Sequence, residues 1–117
     1  ELSHFCFVLC GSYAEQIERK FDERTPTNLV YYPPDVSHAE KHHSNGTHFL
    51  VEIDAGNLEK LKDYGAKLNE PLSIKSQESF RLAARMYREF CERDAFSALA
   101  LESLTTELLI YASRQEI

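Results

Sequence analysis

From His4 to about Asp54, apolar residues fall in short runs separated by Gly, Pro, Asn and Asp. The runs are HFCFVLCG (ended by Gly11), YAEQIERKF, NLVYYPP (closed by Pro33-Pro34), DVSHAEKHHS and THFLVEID. Aromatic and β-branched residues between such breakers predict five strands. Asn45-Gly46 separates the last two, and Asn-Gly supplies the positive φ that a type I′ hairpin turn needs at both central positions. After about Asn57 the period changes. NLEKLKDYGAKL predicts a modest amphipathic helix with Leu58, Leu61 and Leu68 on related faces. Ser76 or a neighbour caps a second helix, in which Phe80, Ala83, Ala84, Tyr87, Phe90 and Cys91 recur at three and four. Asp94 is a good N-cap for a third helix from about Ala95 to Gln115. There Phe96, Ala100, Leu104, Leu108 and Tyr111 form one stripe, which Leu101 joins. Leu99 and Ile110 lie roughly 60 to 100° off it at about 100° per residue. An apolar arc that wide needs cover on more than one side. A two-fold helix pair is an economical way to bury the remainder, which predicts a homodimer with Leu99 and Ile110 near its seam.

The hairpin places the histidines. With Asn45-Gly46 as a two-residue turn, His43 pairs with His48, His42 with Phe49, Glu40 with Val51 and His38 with Ile53. His38, Glu40 and His42 then share the inner face with Phe49, Val51 and Ile53, and His43 and His48 share the outer, solvated face with Lys41 and Glu52. On that inner face His38 and His42 stand about 13 Å apart along the strand. They cannot ligate one ion whose metal–nitrogen bonds are about 2 Å long. No metal site is expected. His38 and Glu40 read equally as the polar floor of a small-molecule cavity or as a hydrogen-bonded core pair, since buried polar groups need partners. Tyr32 belongs to the same reading. His4 joins it on strand alternation with Cys6, Val8 and Cys10.

Composition narrows the classes. A chain of 117 residues suffices for one core, and 43% hydrophobic with 27% charged residues is ordinary globular usage. A net charge of −6 argues against this chain gripping a phosphate backbone itself. No apolar run approaches a membrane span, and no signal-peptide pattern opens the sequence, so a cytoplasmic location is expected. Cys6, Cys10 and Cys91 are an odd set without metal-ligand spacing and read as buried thiols of a reducing compartment. Asn45-Gly46-Thr47 matches a glycosylation acceptor only formally. There is no Gly-rich phosphate loop, Gly-x-Ser-x-Gly elbow or Cys-x-x-Cys. The sequence opens without Met and closes on ELLIYASRQEI inside a helical pattern, which reads as a piece of a longer protein.

Several stretches resemble a known family. PPDVSH resembles the second cupin motif, Pro-x-Gly-x-x-His, with Asp35 where glycine is usual. TPTNLVYYPP resembles the turn and strand before it, with Thr27 and Asn28 replacing Gly-Asp. The first cupin motif, His-x-His with a downstream glutamate, should lie near GSYAEQIERKF and is absent. RDAFSALALESLTTELLIYASRQ, following ESFRLAARMYREFCER, resembles the helix pair behind the sensor cupin of AraC-type transcriptional regulators. Asp94, Ser97, Leu99, Ala100, Leu101, Glu102, Leu104, Glu107, Leu108 and Leu109 carry that likeness, which runs back to H-x-x-x-x-L-x-G at His4–Gly11. The resemblance implies an α+β chain: a partial cupin-like antiparallel β-barrel over 1–54, lacking its first strands, and a helical dimerisation segment over 55–117. The helix-turn-helix domain that would contact DNA is expected to follow and is absent from this chain. The implied function is effector sensing and dimerisation, with a small molecule at His4, Tyr32, His38 and Glu40. No covalent chemistry, metal or cofactor is implied, and no membrane partner. A sensor that only dimerises is a second possibility. A small cupin enzyme, a metal-dependent isomerase or dioxygenase, is the rival from another class.

Overall fold

Alternation along one strand organises the whole molecule. The computed structural model describes residues 2–17, 19–26, 28–34, 36, 38–42 and 46–116, and the side chains of His38 and His42 fall outside that description. Among the described residues the chain is α+β, with seven strands in two antiparallel sheets and three helices. The strands are β1 Ser3–Cys10, β2 Tyr13–Ile17, β3 Lys20–Arg24, β4 Asn28–Tyr32, β5 His38–His42, β6 Thr47–Ile53 and β7 Leu72–Lys75. The helices are α1 Ala55–Lys62, α2 Gln77–Cys91 and α3 Ser97–Arg114. One sheet runs β6-β1-β4-β7 and the other β3-β2-β5; they do not close into a continuous barrel.

On β1 the odd positions Ser3, Phe5 and Phe7 face the helices, and the even positions His4, Cys6 and Val8 face the second sheet. Register carries this across the sheet. Phe5 stands between Tyr31 and Val51, and Phe7 between Leu29 and Phe49, whereas His4 stands between Tyr32 and Glu52. The helix-facing row joins Leu82, Ala83 and Met86 of α2 and Leu104, Leu108, Leu109 and Ala112 of α3 in one core. Each large apolar side chain taken out of water there contributes about 1.5–3 kcal/mol.

Two sequence expectations fail for identifiable reasons. The Asn-Gly hairpin does not form: β5 pairs with β2 and β6 with β1, so the strands either side of Asn45-Gly46 enter different sheets. Residues 43–45, including His43, lie outside the described residues. Gly46 serves a different need, because a Cβ there would sit 2.6 Å from the Cys10 carbonyl oxygen. YAEQIERKF is likewise not one strand. Its residues divide between the antiparallel strands β2 and β3, whose register pairs Ile17 with Lys20. No Gly or Asn stands between these strands in the sequence to signal the break. A seventh strand, β7, lies in the half read as helical and pairs with β4.

The helices keep their starts better than their faces. Ser76 caps α2 as expected, its Oγ accepting from the Ser79 N–H at 3.1 Å. The buried face of α2 is nevertheless Ser79, Leu82, Ala83 and Met86, with Phe80, Tyr87 and Phe90 left substantially exposed. Asp94 tightens the turn before α3, accepting from the Phe96 N–H at 2.8 Å, but the helix proper begins at Ser97. Phe96 therefore leaves the stripe and is 73% exposed. Leu104 and Leu108 are buried and Leu101 and Tyr111 half-buried, as the period required. α1 stops at Lys62, so Leu68 lies beyond it in a left-handed conformation, φ +46°. Three hydrogen bonds fix Leu68 and its neighbour. The Tyr31 hydroxyl donates to the Leu68 carbonyl (2.8 Å), and the Glu116 carboxylate accepts from the backbone N–H groups of Leu68 (2.8 Å) and Lys67 (3.1 Å).

Candidate functional site

The two sheets face one another across a cleft of about 330 Å³. It is lined by Leu2, just before β1, by His4, Cys6, Tyr32, His48, Leu50 and Glu52 of the larger sheet, and by Glu40 of the smaller. Three of the four residues expected to bind a ligand thus meet in one place: His4, Tyr32 and Glu40. The fourth, His38, stands on β5 opposite Ile17, and its side chain lies outside the described residues.

The reason for their meeting differs from the one the sequence suggested. Phe49, Val51 and Ile53 turn to the helices, so the other face of β6, carrying His48, Leu50 and Glu52, forms a cleft wall. His48 is therefore not on an outer solvated face; its ring lies 4.6 Å from that of Tyr13. Pairing β6 with β1 reverses the orientation that a β5–β6 hairpin would give it. His4 stacks on Tyr32 with ring centroids 4.7 Å apart and planes 23° from parallel.

Below the cleft lies a buried ion pair that sequence reasoning missed. The Arg24 Nε donates to Glu15 Oε1 at 2.9 Å, with side-chain exposures of 5% and 0%. The Tyr32 hydroxyl donates to the other Glu15 oxygen through a short hydrogen bond. Arg24 Nη1 donates to Asp22 (2.9 Å) and to the Ser73 hydroxyl of β7 (3.4 Å), joining the two sheets at that side. The available signal was alternation. Tyr13, Glu15 and Ile17 share one face of β2, and an acid between two apolar neighbours needs a partner. The register places Tyr13 opposite Arg24.

These surroundings set protonation. Burial pushes the Cys6 thiol up to about 11, a rise that its contact with the Tyr13 hydroxyl (3.9 Å) only partly offsets. Burial also raises Tyr13 and Tyr32, and for Tyr32 the donated hydrogen bond to Glu15 adds to it. Burial works against the charge on Arg24, but its hydrogen bonds to Glu15 and Asp22 outweigh that and hold it more firmly protonated than usual. At neutral pH the cleft therefore presents a protonated thiol, which is a poor nucleophile, and the neutral phenol of Tyr32. Its means of binding are aromatic faces, hydrogen bonds and carboxylate charge.

The three cysteines are not alike: Cys6 is buried, whereas Cys10 and Cys91 are exposed, contrary to the expectation of three buried thiols. Among the described residues no group of three or more His, Cys, Asp or Glu is placed to hold a metal ion, and no helix is long and apolar enough to cross a membrane.

The residues expected at a dimer seam lie far from the cleft. Leu99 is 70% and Ile110 37% exposed, both on the side of α3 turned away from the core. Leu99, Ser103, Thr106, Ile110 and Ser113 follow one another at spacings of four, three, four and three, the seam spacing of paired helices, and none is charged.

Compared with known proteins, the chain matches no family model and no curated protein.

Proposed function

We propose that this chain is the effector-sensing and dimerisation domain of an AraC-type transcriptional regulator. A small molecule binds between the two sheets, which act as a partial cupin-like barrel. The protein dimerises through α3, and a DNA-binding domain elsewhere in the parent protein reads the result. The carrying observation is the cleft, where His4, Tyr32 and Glu40 converge from β1, β4 and β5.

The helix pair supports the reading. Arg85 of α2 lies 3.9 Å from Glu107 of α3, and Ser97 donates to Glu89 at 3.0 Å. Residue numbers rise on one helix as they fall on the other, so the two run antiparallel. Their inner faces are consumed by the core, which leaves the uncharged outer stripe of α3 for a second copy. Binding at the cleft and assembly at α3 are then two sites on opposite sides of one sheet, as a linkage mechanism requires.

The test has two arms. Sedimentation equilibrium of the purified chain should give about twice the 13.5 kDa chain mass. Fused to a DNA-binding domain that represses only as a dimer, the chain should restore repression in a reporter strain. A monomer that fails to repress would sink the reading. One equivalent of iron, manganese or zinc in purified protein would favour a cupin enzyme instead.

A further inference from the structure

We infer that the cleft between the sheets takes a small organic cation, an ammonium or amidinium group on a compact apolar or aromatic body. This deepens the effector-site reading above and rests on it. The first ground is sign. Glu40 and Glu52 line the cavity, and among the described residues no lysine or arginine does. The nearby guanidinium, Arg24, is already committed to Glu15 and Asp22. Glu40 is also the direct cross-strand partner of Glu15, whose own charge is already matched by Arg24. A bound cation meets the two lining carboxylates with the opposite sign, whereas a bound anion repels them.

The second ground is the shape of the wall. Glu52, His4 and Tyr32 form one row across β6, β1 and β4, so a carboxylate stands beside the His4–Tyr32 stack. Cations are drawn to aromatic faces, and the half-buried His4 ring offers one beside the Glu52 carboxylate, with the buried Tyr32 ring behind it. Cys6 and Leu50, paired in the next row, give the apolar body a surface to cover. The third ground is size. A cavity of about 330 Å³ is near the lower limit for ligand sites and suits a compact molecule.

Three probes of one shape separate the classes: benzylammonium, benzyl alcohol and benzoate, each titrated at pH 7.5 into the whole chain. Histidine ring resonances in NMR and calorimetry are the readouts. Benzylammonium should shift His4 and His48, benzyl alcohol should bind at least tenfold more weakly, and benzoate should not bind. Glu40→Gln and Glu52→Gln should each weaken benzylammonium about tenfold, whereas Glu59→Gln, on α1, should leave its affinity unchanged. Both cleft variants are near-isosteric changes at exposed positions, so the fold is retained. Benzoate or benzyl alcohol binding as tightly as benzylammonium would overturn the cation class and leave the effector cleft standing. So would benzylammonium affinity indifferent to both cleft variants. No response of His4 or His48 to any probe also overturns it. A monomeric chain that still binds benzylammonium would instead refute the regulator reading and keep the cation site.

Discussion

Replacing Arg24 by Met tests how the smaller sheet is held to the larger one. Arg24 and Glu15 are 5% and 0% exposed at the side chain, so water cannot replace a lost partner. Met keeps most of the Arg24 volume and removes three polar contacts, Glu15 at 2.9 Å, Asp22 at 2.9 Å and Ser73 at 3.4 Å, together with the positive charge that faces Glu15. Glu15 then keeps the hydrogen bond from the Tyr32 hydroxyl. Breaking a buried pair from one side costs about 3–5 kcal/mol, because a charge is left uncompensated. A domain of this length has roughly 6–18 kcal/mol to lose, at about 0.05–0.15 kcal/mol per residue. With a urea m-value of about 2 kcal/mol/M, Arg24→Met should lower the unfolding midpoint by about 2 M. Adding Glu15→Gln removes the orphaned charge, so the double variant should recover part of the loss. A midpoint drop below about 0.5 M would place the pair among screened surface bridges worth about 0–1 kcal/mol and refute the argument.

Leu99→Glu should yield a folded monomer by sedimentation and circular dichroism, because Leu99 is 70% exposed, while Leu104→Glu, at 5% exposure, should unfold the domain; a dimeric Leu99→Glu would move the seam elsewhere. Thiol titration should find Cys10 and Cys91 reactive in the native chain and Cys6 only after unfolding. Between pH 9 and about 11 an unfolded Cys6 releases its proton while the folded one keeps it, so the Cys6 contribution is complete below about pH 9. It falls by about 1.4 kcal/mol per pH unit above that, and wild type minus Cys6→Ala should show the slope. Tyr31→Phe removes the donor to the Leu68 carbonyl and should cost about 1 kcal/mol, with faster hydrogen exchange at the Leu68 amide; unchanged exchange would contradict it.

Period was the legible part of this sequence, and partnership was the illegible part. The alternation of β1, the cap at Ser76 and the inner stripe Leu104–Leu108 follow from local spacing, and each survives in the structure, whereas Asp94 stops short of capping α3 and binds only the turn before it. The hairpin at Asn45-Gly46 failed because turn propensity is local while strand pairing is global. β6 gains more by placing Phe49, Val51 and Ile53 beside Phe7, Phe5 and Ser3 over the helices. β7 escaped notice for a related reason. Leu72–Lys75 is four residues long and half exposed, too short to show a period, and is a strand because β4 offers an open edge. His4, Tyr32 and Glu40 were still placed together, since alternation fixes each side chain's face even when the partner strand is misassigned. His48 and Glu52 were lost with the register.

That alternation also bears on how a cleft ligand would be felt at the helices. Adjacent residues of β4 face opposite ways. Tyr32 points into the cleft, stacked on His4, while Tyr31 points to the helix side and donates to the Leu68 carbonyl. Leu68 is held in a left-handed conformation that a leucine adopts at a cost, and its N–H is bound by Glu116, just beyond α3. A shift of β4 of a few tenths of an ångström at Tyr32 is therefore applied, through one peptide unit, to the loop that grips the end of α3. Phe5 and Phe7 do the same for β1, carrying any displacement of His4 and Cys6 into the α2–α3 core. Close-packed interiors transmit such shifts rather than absorb them. Under the proposed function the cleft controls α3 only to the extent that a ligand binds one position of these strands better than another. A ligand on the exposed side of His4 reaches β4 through the His4–Tyr32 stack, so it acts on α3 to the degree that its affinity differs between positions of that stack.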